Sequence, residues 1–187
     1  MILLRATVKS HDVIFSIGSV NFMIDAVFER TDRQDVSISL GDNKSELAVS
    51  EARRLPGVLA VEPFRAMAVE FSNGNRKKRT LILGKPEFTD VSRILDSSMK
   101  QVSVPSTGLL ISEALAKSLG LRVGDTVQVE FLGATRKSSK LPVTGIVQTY
   151  IGLLAVVRLD ALNRELGEGP RISGFHLLLD QANVDAF

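Results

Sequence analysis

Along this chain, short runs in which apolar and polar residues alternate are interleaved with stretches whose apolar residues recur at helical spacing. The sharpest pattern is residues 108–131, GLLISEALAKSLGLRVGDTVQVEF. Gly108-Leu109-Leu110-Ile111 is a short apolar run that predicts a strand. Ser112 stands where an N-cap belongs, with a hydroxyl that can accept from an unpaired backbone N–H, and Glu113 suits the first turn of a helix dipole. Ala114, Leu115, Ala116 and Leu119 supply helix formers and an apolar face, and Gly120 suits the left-handed residue that ends many helices. Gly124-Asp125 predicts a turn, after which Val127, Val129 and Phe131 share one face of a strand over 126–131. Several local rules agree here, which marks the stretch as a structural nucleus. Capping accounts for Ser112 without invoking a nucleophile. Gly124 reads as a turn and not a phosphate cradle, because no lysine or further glycine follows at P-loop spacing.

Residues 5–15 are weakly patterned, with Ala6, Val8, Val13, Ile14 and Phe15 among polar groups. Over 16–33, Ile17, Val20, Ile24, Val27 and Phe28 fall on one helical face, with Asp25, Glu29, Arg30, Asp32 and Arg33 polar. Two roles stay open for this stripe: packing on the domain's own core, or a stalk continuing a membrane helix. Residues 35–40 predict a strand, Gly41-Asp42-Asn43 a loop, and 45–55 a helix with Ala48, Ala52 and Leu55 inward, stopped by Pro56-Gly57. A strand over 58–64 follows, with Pro63 marking an edge or the strand's end. Asn73-Gly74 predicts a hairpin between 66–72 and 79–83. Residues 85–107 read as loop, with a short helical piece over 91–95. Leu141, Val143, Gly145 and Val147 predict a strand pairing back on 127–131. A second β-α-β unit then comprises 152–157, a helix over 159–166 and a strand over 172–179. The predicted fold class is therefore α+β: a split β-α-β lobe formed by 35–64 and 151–187, an inserted β-rich lobe over 65–150, and an amphipathic helix over 16–34.

A length of 187 residues fits one domain or two small ones. With 44% hydrophobic and 24% charged residues the chain reads as globular and not disordered. A net charge of +2 does not argue for a nucleic-acid partner. The absence of cysteine excludes disulfides and thiolate chemistry but leaves the compartment open. No stretch reaches the roughly 18 uninterrupted apolar residues of a membrane span. The nearest, 13–28, is broken by Ser16, Gly18, Ser19, Asn21 and Asp25. Met1-Ile2-Leu3-Leu4 is too short for a signal peptide's apolar core. The chain thus reads as soluble as it stands, and as a domain cut from a longer protein.

Candidate chemistry is sparse. His11 and His176 have no carboxylates or cysteines at ligand spacing, so no metal site is predicted. Glu62, Glu70, Asp160, Glu165 and Glu168 are scattered, and no pair has a spacing that predicts acid–base work. Arg76-Lys77-Lys78-Arg79 invites a phosphate reading, but no aromatic residue interleaves with it and a solvated hairpin tip accounts for it better. The expectation is a non-catalytic protein with no catalytic, cofactor-binding or metal residues and no cofactor. Phe131 and Leu132 are apolar residues that could meet a partner, although core packing is the commoner fate.

The run 108–131, with Pro142-Val143-Thr144-Gly145-Ile146-Val147 after it, resembles the extracytoplasmic domain of FtsX-like ABC-transporter permeases, the MacB and lipoprotein-releasing type. Further pieces occur in the order this resemblance requires: Phe28-Glu29-Arg30 and Asp35-Val36, then Leu55-Pro56-Gly57-Val58 with Val61-Glu62-Pro63-Phe64-Arg65. Near the end come Leu159-Asp160-Ala161-Leu162-Asn163-Arg164 and Ile172-Ser173-Gly174. Together they span roughly 25–180. The resemblance implies a porter-like β-α-β lobe split by a β-rich insertion, set between the first and second membrane helices on the extracytoplasmic face of the cell membrane. It implies that ATP-driven membrane motion is coupled through the stalk helix to export or release of a lipoprotein, peptide or small molecule, or to a periplasmic partner. The implied partners are an ATP-binding subunit on a separate chain or region, a second permease as homodimer or heterodimer, and an adaptor protein or lipoprotein cargo, with no nucleic acid. The chain departs from the whole transporter in carrying no membrane segment and no ATP-binding motif. An alternative reading takes helix-Gly-x-x-x-Gly-Asp-x-Val-x-Val as part of a small β-barrel, a soluble cytoplasmic binding or adaptor module. That reading covers 108–147 but not the flanking β-α-β halves.

Overall fold

The computed structural model describes residues 34–45, 47–132, 137–149 and 152–180. The amphipathic segment predicted over 16–33 and His11 lie outside the described residues. The strands are β1 (Val36–Ser45), β2 (Val58–Asn73), β3 (Arg76–Lys85), β4 (Leu109–Ser112), β5 (Thr126–Phe131), β6 (Lys137–Val147), β7 (Ala155–Arg158) and β8 (Arg171–Leu179). The helices are α1 (Leu47–Ala52), α2 (Glu113–Leu119) and α3 (Leu159–Leu166).

One strand is shared by two sheets. Over residues 58–64, β2 pairs antiparallel with β8, and β8 pairs antiparallel with β1 on its other side. β1 and β2 therefore run parallel, joined by α1, with β8 between them. Over residues 65–73, β2 pairs instead with β3 and, on its other side, with β5. From β3 the ladder continues through β7, β4 and β6 to β5, so that six strands close into a ring. Closure leaves this sheet without an edge.

Side-chain alternation decides which core each residue enters. Val69, Phe71, Ile82, Leu109, Ile111, Val127, Val129 and Phe131 point into the ring, joined by Leu115 and Leu119 of α2 and Leu162 of α3. Leu110, between two inward residues, points outward and packs with Val147, Val156, Ile94 and Val104, so the strap 86–108 covers the outside of the ring. A separate core lies on one face of the open sheet, where α1 supplies Val49 and Ala52 against Val61, Ile172 and Leu177.

The central stretch forms as its residues predict. Ser112 caps α2, accepting from the Leu115 amide at 3.3 Å. Gly120 ends it in the left-handed conformation at φ 67°, where a side chain would be strained. The Asn73-Gly74 hairpin and the β5–β6 pairing also form.

Four expectations are corrected. Gly41-Asp42-Asn43 does not end the strand: β1 runs on to Ser45 across a register irregularity between Ser39 and Lys44, after which its pairing with β8 resumes at Ile172 and Arg171. The helix predicted over 45–55 closes at Ala52, which leaves Leu55 exposed. Pro63 stands at an edge, one of its two expected readings: β2 has a ladder partner on one side only there, which tolerates a missing N–H, and the strand runs on past it. Residues 91–95 form no helix: the Val91 amide and the Ser92 carbonyl are held by Glu62 and Lys85 and are not in a helical ladder. Finally, β7, expected to share a sheet with residues 172–179, pairs with β3 and β4 of the ring, its apolar Ala155, Val156 and Val157 buried there.

Candidate functional site at the junction of the two sheets

The described residues concentrate their buried charge where β2 passes from one sheet to the other. Arg65 is 0% exposed and Glu62 6%. Burying a charge is costly unless it is paired and hydrogen-bonded. The Arg65 guanidinium donates through Nη2 to Glu168 Oε2 at 2.7 Å and through Nη1 to Asn163 Oδ1. Asn163 in turn donates from Nδ2 to the Arg171 carbonyl at 3.2 Å. One side chain from β2 thus holds α3, the loop after it and, through Asn163, the start of β8. Ser173 adds a second tie: its hydroxyl accepts from the Ala66 amide at 3.2 Å and donates to the Ala66 carbonyl at 3.3 Å.

α3 is wedged into the seam. Leu159, at its start, belongs to the core of the open sheet, and Leu162, one turn on, to the core of the ring. The approach is close because residue 84 of β3 is glycine: a Cβ there would come within 2.9 Å of Leu162 Cδ2 and 3.3 Å of Leu159 Cα. The helix start has no side-chain cap. In its place, Arg158 donates to Glu87 at 2.8 Å and to Asp160 at 3.2 Å, and Arg164 donates to Asp160 at 2.9 Å. Burial raises the Asp160 pKa, but the hydrogen bonds from Arg164 and Arg158 outweigh it and hold the carboxyl below its ordinary range.

On the other flank, Glu62 Oε2 accepts from the Val91 amide at 3.0 Å, and its Oε1 lies 4.0 Å from Lys85 Nζ. Lys85 donates to the Ser92 carbonyl and hydroxyl, both at 2.7 Å. Burial pushes the Glu62 pKa up, outweighing the Val91 amide and the Lys85 charge. This pair anchors the start of the strap 86–108.

Between these anchors opens a cleft of about 390 Å³ with Pro63, Pro86, Leu159 and Pro170 among its lining. Its charged rim is already paired: Arg158 with Glu87 and Asp160, Arg164 with Asp160, and Glu168 with Arg65 and Arg171. The arrangement is suited to holding elements together; no group in it is set up to attack a bond.

The residues singled out in the sequence do not converge here. Ser112 is a cap and also accepts from the Leu154 amide at 3.1 Å. Gly124 forms a turn whose amide donates to the Val143 carbonyl. His176 lies in β8, with Nδ1 3.0 Å from the Ser37 hydroxyl and its ring stacked on Phe64 at 4.6 Å. In the basic run, Lys77 and Arg79 pair with Glu70, while Arg76 lies against Gly120 at the end of α2. Phe131 is wholly buried in the ring and not available to a partner. Of the scattered carboxylates only Glu62, Asp160 and Glu168 reach the junction. Sequence reasoning missed Arg65, Lys85 and Asn163. The available signal was a charged residue at each of two positions, 62 and 65, in the otherwise apolar run 58–69. No group of His, Cys, Asp and Glu that could hold a metal occurs among the described residues.

Compared with known proteins, the chain matches the MacB-like periplasmic core domain over residues 8–187. No curated protein matches it. Its fold is similar to the extracellular domain of the noncanonic ABC-type transporter YknZ from Gram-positive bacteria, with a TM-score of 0.55 and 13% identity, covering 77% of this chain and 78% of that one. It is also similar to the periplasmic region of MacB from Actinobacillus actinomycetemcomitans, with a TM-score of 0.52 and 14% identity, covering 75% of this chain and 67% of that one. The match spans both sheets, whereas the small-barrel alternative would account for the ring alone.

Proposed function

The chain belongs to the MacB-like periplasmic core domains of ABC-transporter permeases, and on that premise we propose that it is a non-catalytic extracytoplasmic coupling domain. It would pass ATP-driven motion of the membrane part to the export or release of a lipoprotein, peptide or small molecule, or to a periplasmic partner. The ATP-binding subunit of the same transporter would supply the motion. In this reading residues 35–64 and 151–187 form a porter-like lobe that lends β7 to the inserted lobe over 65–150, and the amphipathic segment 16–34 is the stalk.

The observation that supports this best is that the two flanks of the described residues meet. Asp35 donates its amide to the Leu177 carbonyl at 3.0 Å, and its carboxylate accepts from the Leu179 amide at 2.7 Å. Asp180 closes the same end by donating to the Gly57 carbonyl at 2.8 Å. Residues 35 and 180 thus lie side by side, an arrangement that suits insertion between two consecutive membrane helices. From that end β2 runs unbroken for 16 residues into the ring, a path of about 50 Å at the usual strand rise. The Arg65 clamp and the α3 wedge resist bending along this path, so displacement at the end that holds Asp35 and Asp180 would move the ring as a unit. No helix among the described residues is long and apolar enough to cross a membrane, so membrane attachment would rest on other segments of the full gene product.

The test is membrane retention of the full-length gene product after an alkaline wash, combined with protease added from outside the cell. Retention with cutting between residues 35 and 180 is the expected outcome. A soluble product shielded from the protease would overturn the reading.

A further inference from the structure

We propose that the cleft at the junction is a binding site for a small aromatic carboxylic acid, its ring held between prolines and its carboxylate on Arg158 and Arg164. This site stands apart from the coupling role, and neither depends on the other. The cleft's volume of about 390 Å³ falls within the roughly 300–1,000 Å³ usual for small-molecule sites. Its lining comes from four places in the fold: Pro63 in β2, Pro86 directly after β3, residues 158–164 around the start of α3, and Pro170 directly before β8. The Arg65 clamp and the Glu62–Lys85 pair fix these elements on either flank, so the cleft is formed before any ligand arrives. Walls already in place spare a ligand the cost of ordering them.

The chemistry of the lining selects the occupant. Leu159 and Asn163 are buried, and the Asn163 amide is engaged at both ends, accepting from Arg65 and donating to the Arg171 carbonyl. An apolar group therefore suits the floor, where a polar one would lose its water without finding a partner. Pro63 and Pro86 are half-buried, and proline rings offer rigid faces of the kind that pack on aromatic surfaces. The rim supplies the charge. Its ion pairs set four guanidiniums against three carboxylates, because Glu168 is met by both Arg65 and Arg171. Arg158 uses Nε and Nη1 in these pairs and Arg164 only Nη1, which leaves Nη2 of each to donate. Both hold the one Asp160 carboxylate, so the two guanidiniums stand side by side at the rim. A carboxylate is the anion whose geometry a guanidinium fork matches. A cation would have to displace an arginine from its partner first.

Ligand-observed NMR on the full chain compares phenylpropionate with phenylpropanol and phenylpropylamine, which keep the ring and change the charge. The expected order of affinity is acid, alcohol, amine, with the acid several-fold above the alcohol. Arg164→Gln, at a side chain 67% exposed, should lower the acid's affinity to that of the alcohol and leave the alcohol's unchanged. Glu87→Gln should do the reverse. With its partner at 2.8 Å neutralised, Arg158 can turn to the ligand, and binding of the acid should rise several-fold. A merely structural role for the rim would not move the two variants in opposite directions. Equal affinity for acid and alcohol would overturn the proposal, as would an affinity for the acid indifferent to both substitutions. Either failure leaves the membrane-retention and protease test of the coupling role untouched.

Discussion

The ring and the open sheet use the same strand in opposite ways. In the ring, β2 has neighbours on both sides, the interior is aliphatic and aromatic throughout, and the central residues have no exposed area. In the open sheet the same strand has one neighbour, the core is thinner, and fixed geometry comes from buried polar groups at the seam. Hydrophobic burial is strong but non-directional, so it can close a ring but cannot set the angle between two sheets. Hydrogen bonds at Arg65 and Glu62 supply that direction.

The largest effect that would separate the two regions comes from cavities. Phe71→Ala, inside the ring, should cost about 3–5 kcal/mol, since closed walls cannot collapse onto the void. Phe175→Ala, in the open sheet and 6% exposed, should cost about 2–3 kcal/mol, because water and the adjoining loop can fill the site. Equal losses in denaturant unfolding would erase the distinction. Next, Arg65→Ala should cost about 3 kcal/mol, at the low end for a broken buried pair because half-exposed Glu168 can be rehydrated. It should also split a single unfolding transition into two as the sheets come uncoupled, whereas a single transition would mean that α3 alone suffices. A smaller loss, about 1 kcal/mol, is expected for Ser112→Ala, which removes the α2 cap within the ring.

The smallest effect is a pH dependence. Glu62 has a raised folded pKa, so the folded state holds its proton more tightly than the unfolded state. Its contribution to stability therefore improves as pH falls from neutral towards the ordinary value of 4.5. Asp160 has the opposite sign: its stabilisation is present above the ordinary value of 3.8 and is lost as pH falls below it. Glu62→Gln should flatten the upper part of the stability–pH curve and leave the acid limb unchanged. A curve unaltered by Glu62→Gln would mean that the junction carboxylate is not what titrates.

Legibility in the sequence follows the same division. The ring's nucleus could be read because its signals are local: Ser112, Gly120 and the alternation of Val127, Val129 and Phe131 each act within a few residues. The hairpin at Asn73-Gly74 was equally local. The path of β7 was not legible, since an apolar run such as Ala155-Val156-Val157 fits any buried position and only its partners, Leu83 and Leu110 among the neighbours on β3 and β4, decide the sheet. The clamp was hidden for the same reason. Arg65 and Asn163 stand 98 positions apart in the chain, and a charged residue in a strand ordinarily predicts solvent. Pro63 was legible: its local rule predicts an edge or an end, and it stands where one side of β2 is left open.

The hydrogen bonds that join Asp35 to Leu179 have a consequence for how such a domain is inherited and handled. A unit in which residues 35 and 179 are hydrogen-bonded can be carried by a host polypeptide as a cassette, because the host sees a segment that begins and ends at nearly one point and its own closure entropy changes little. The same adjacency makes the fold a good subject for circular permutation. New termini could be opened at the Asn73-Gly74 tip.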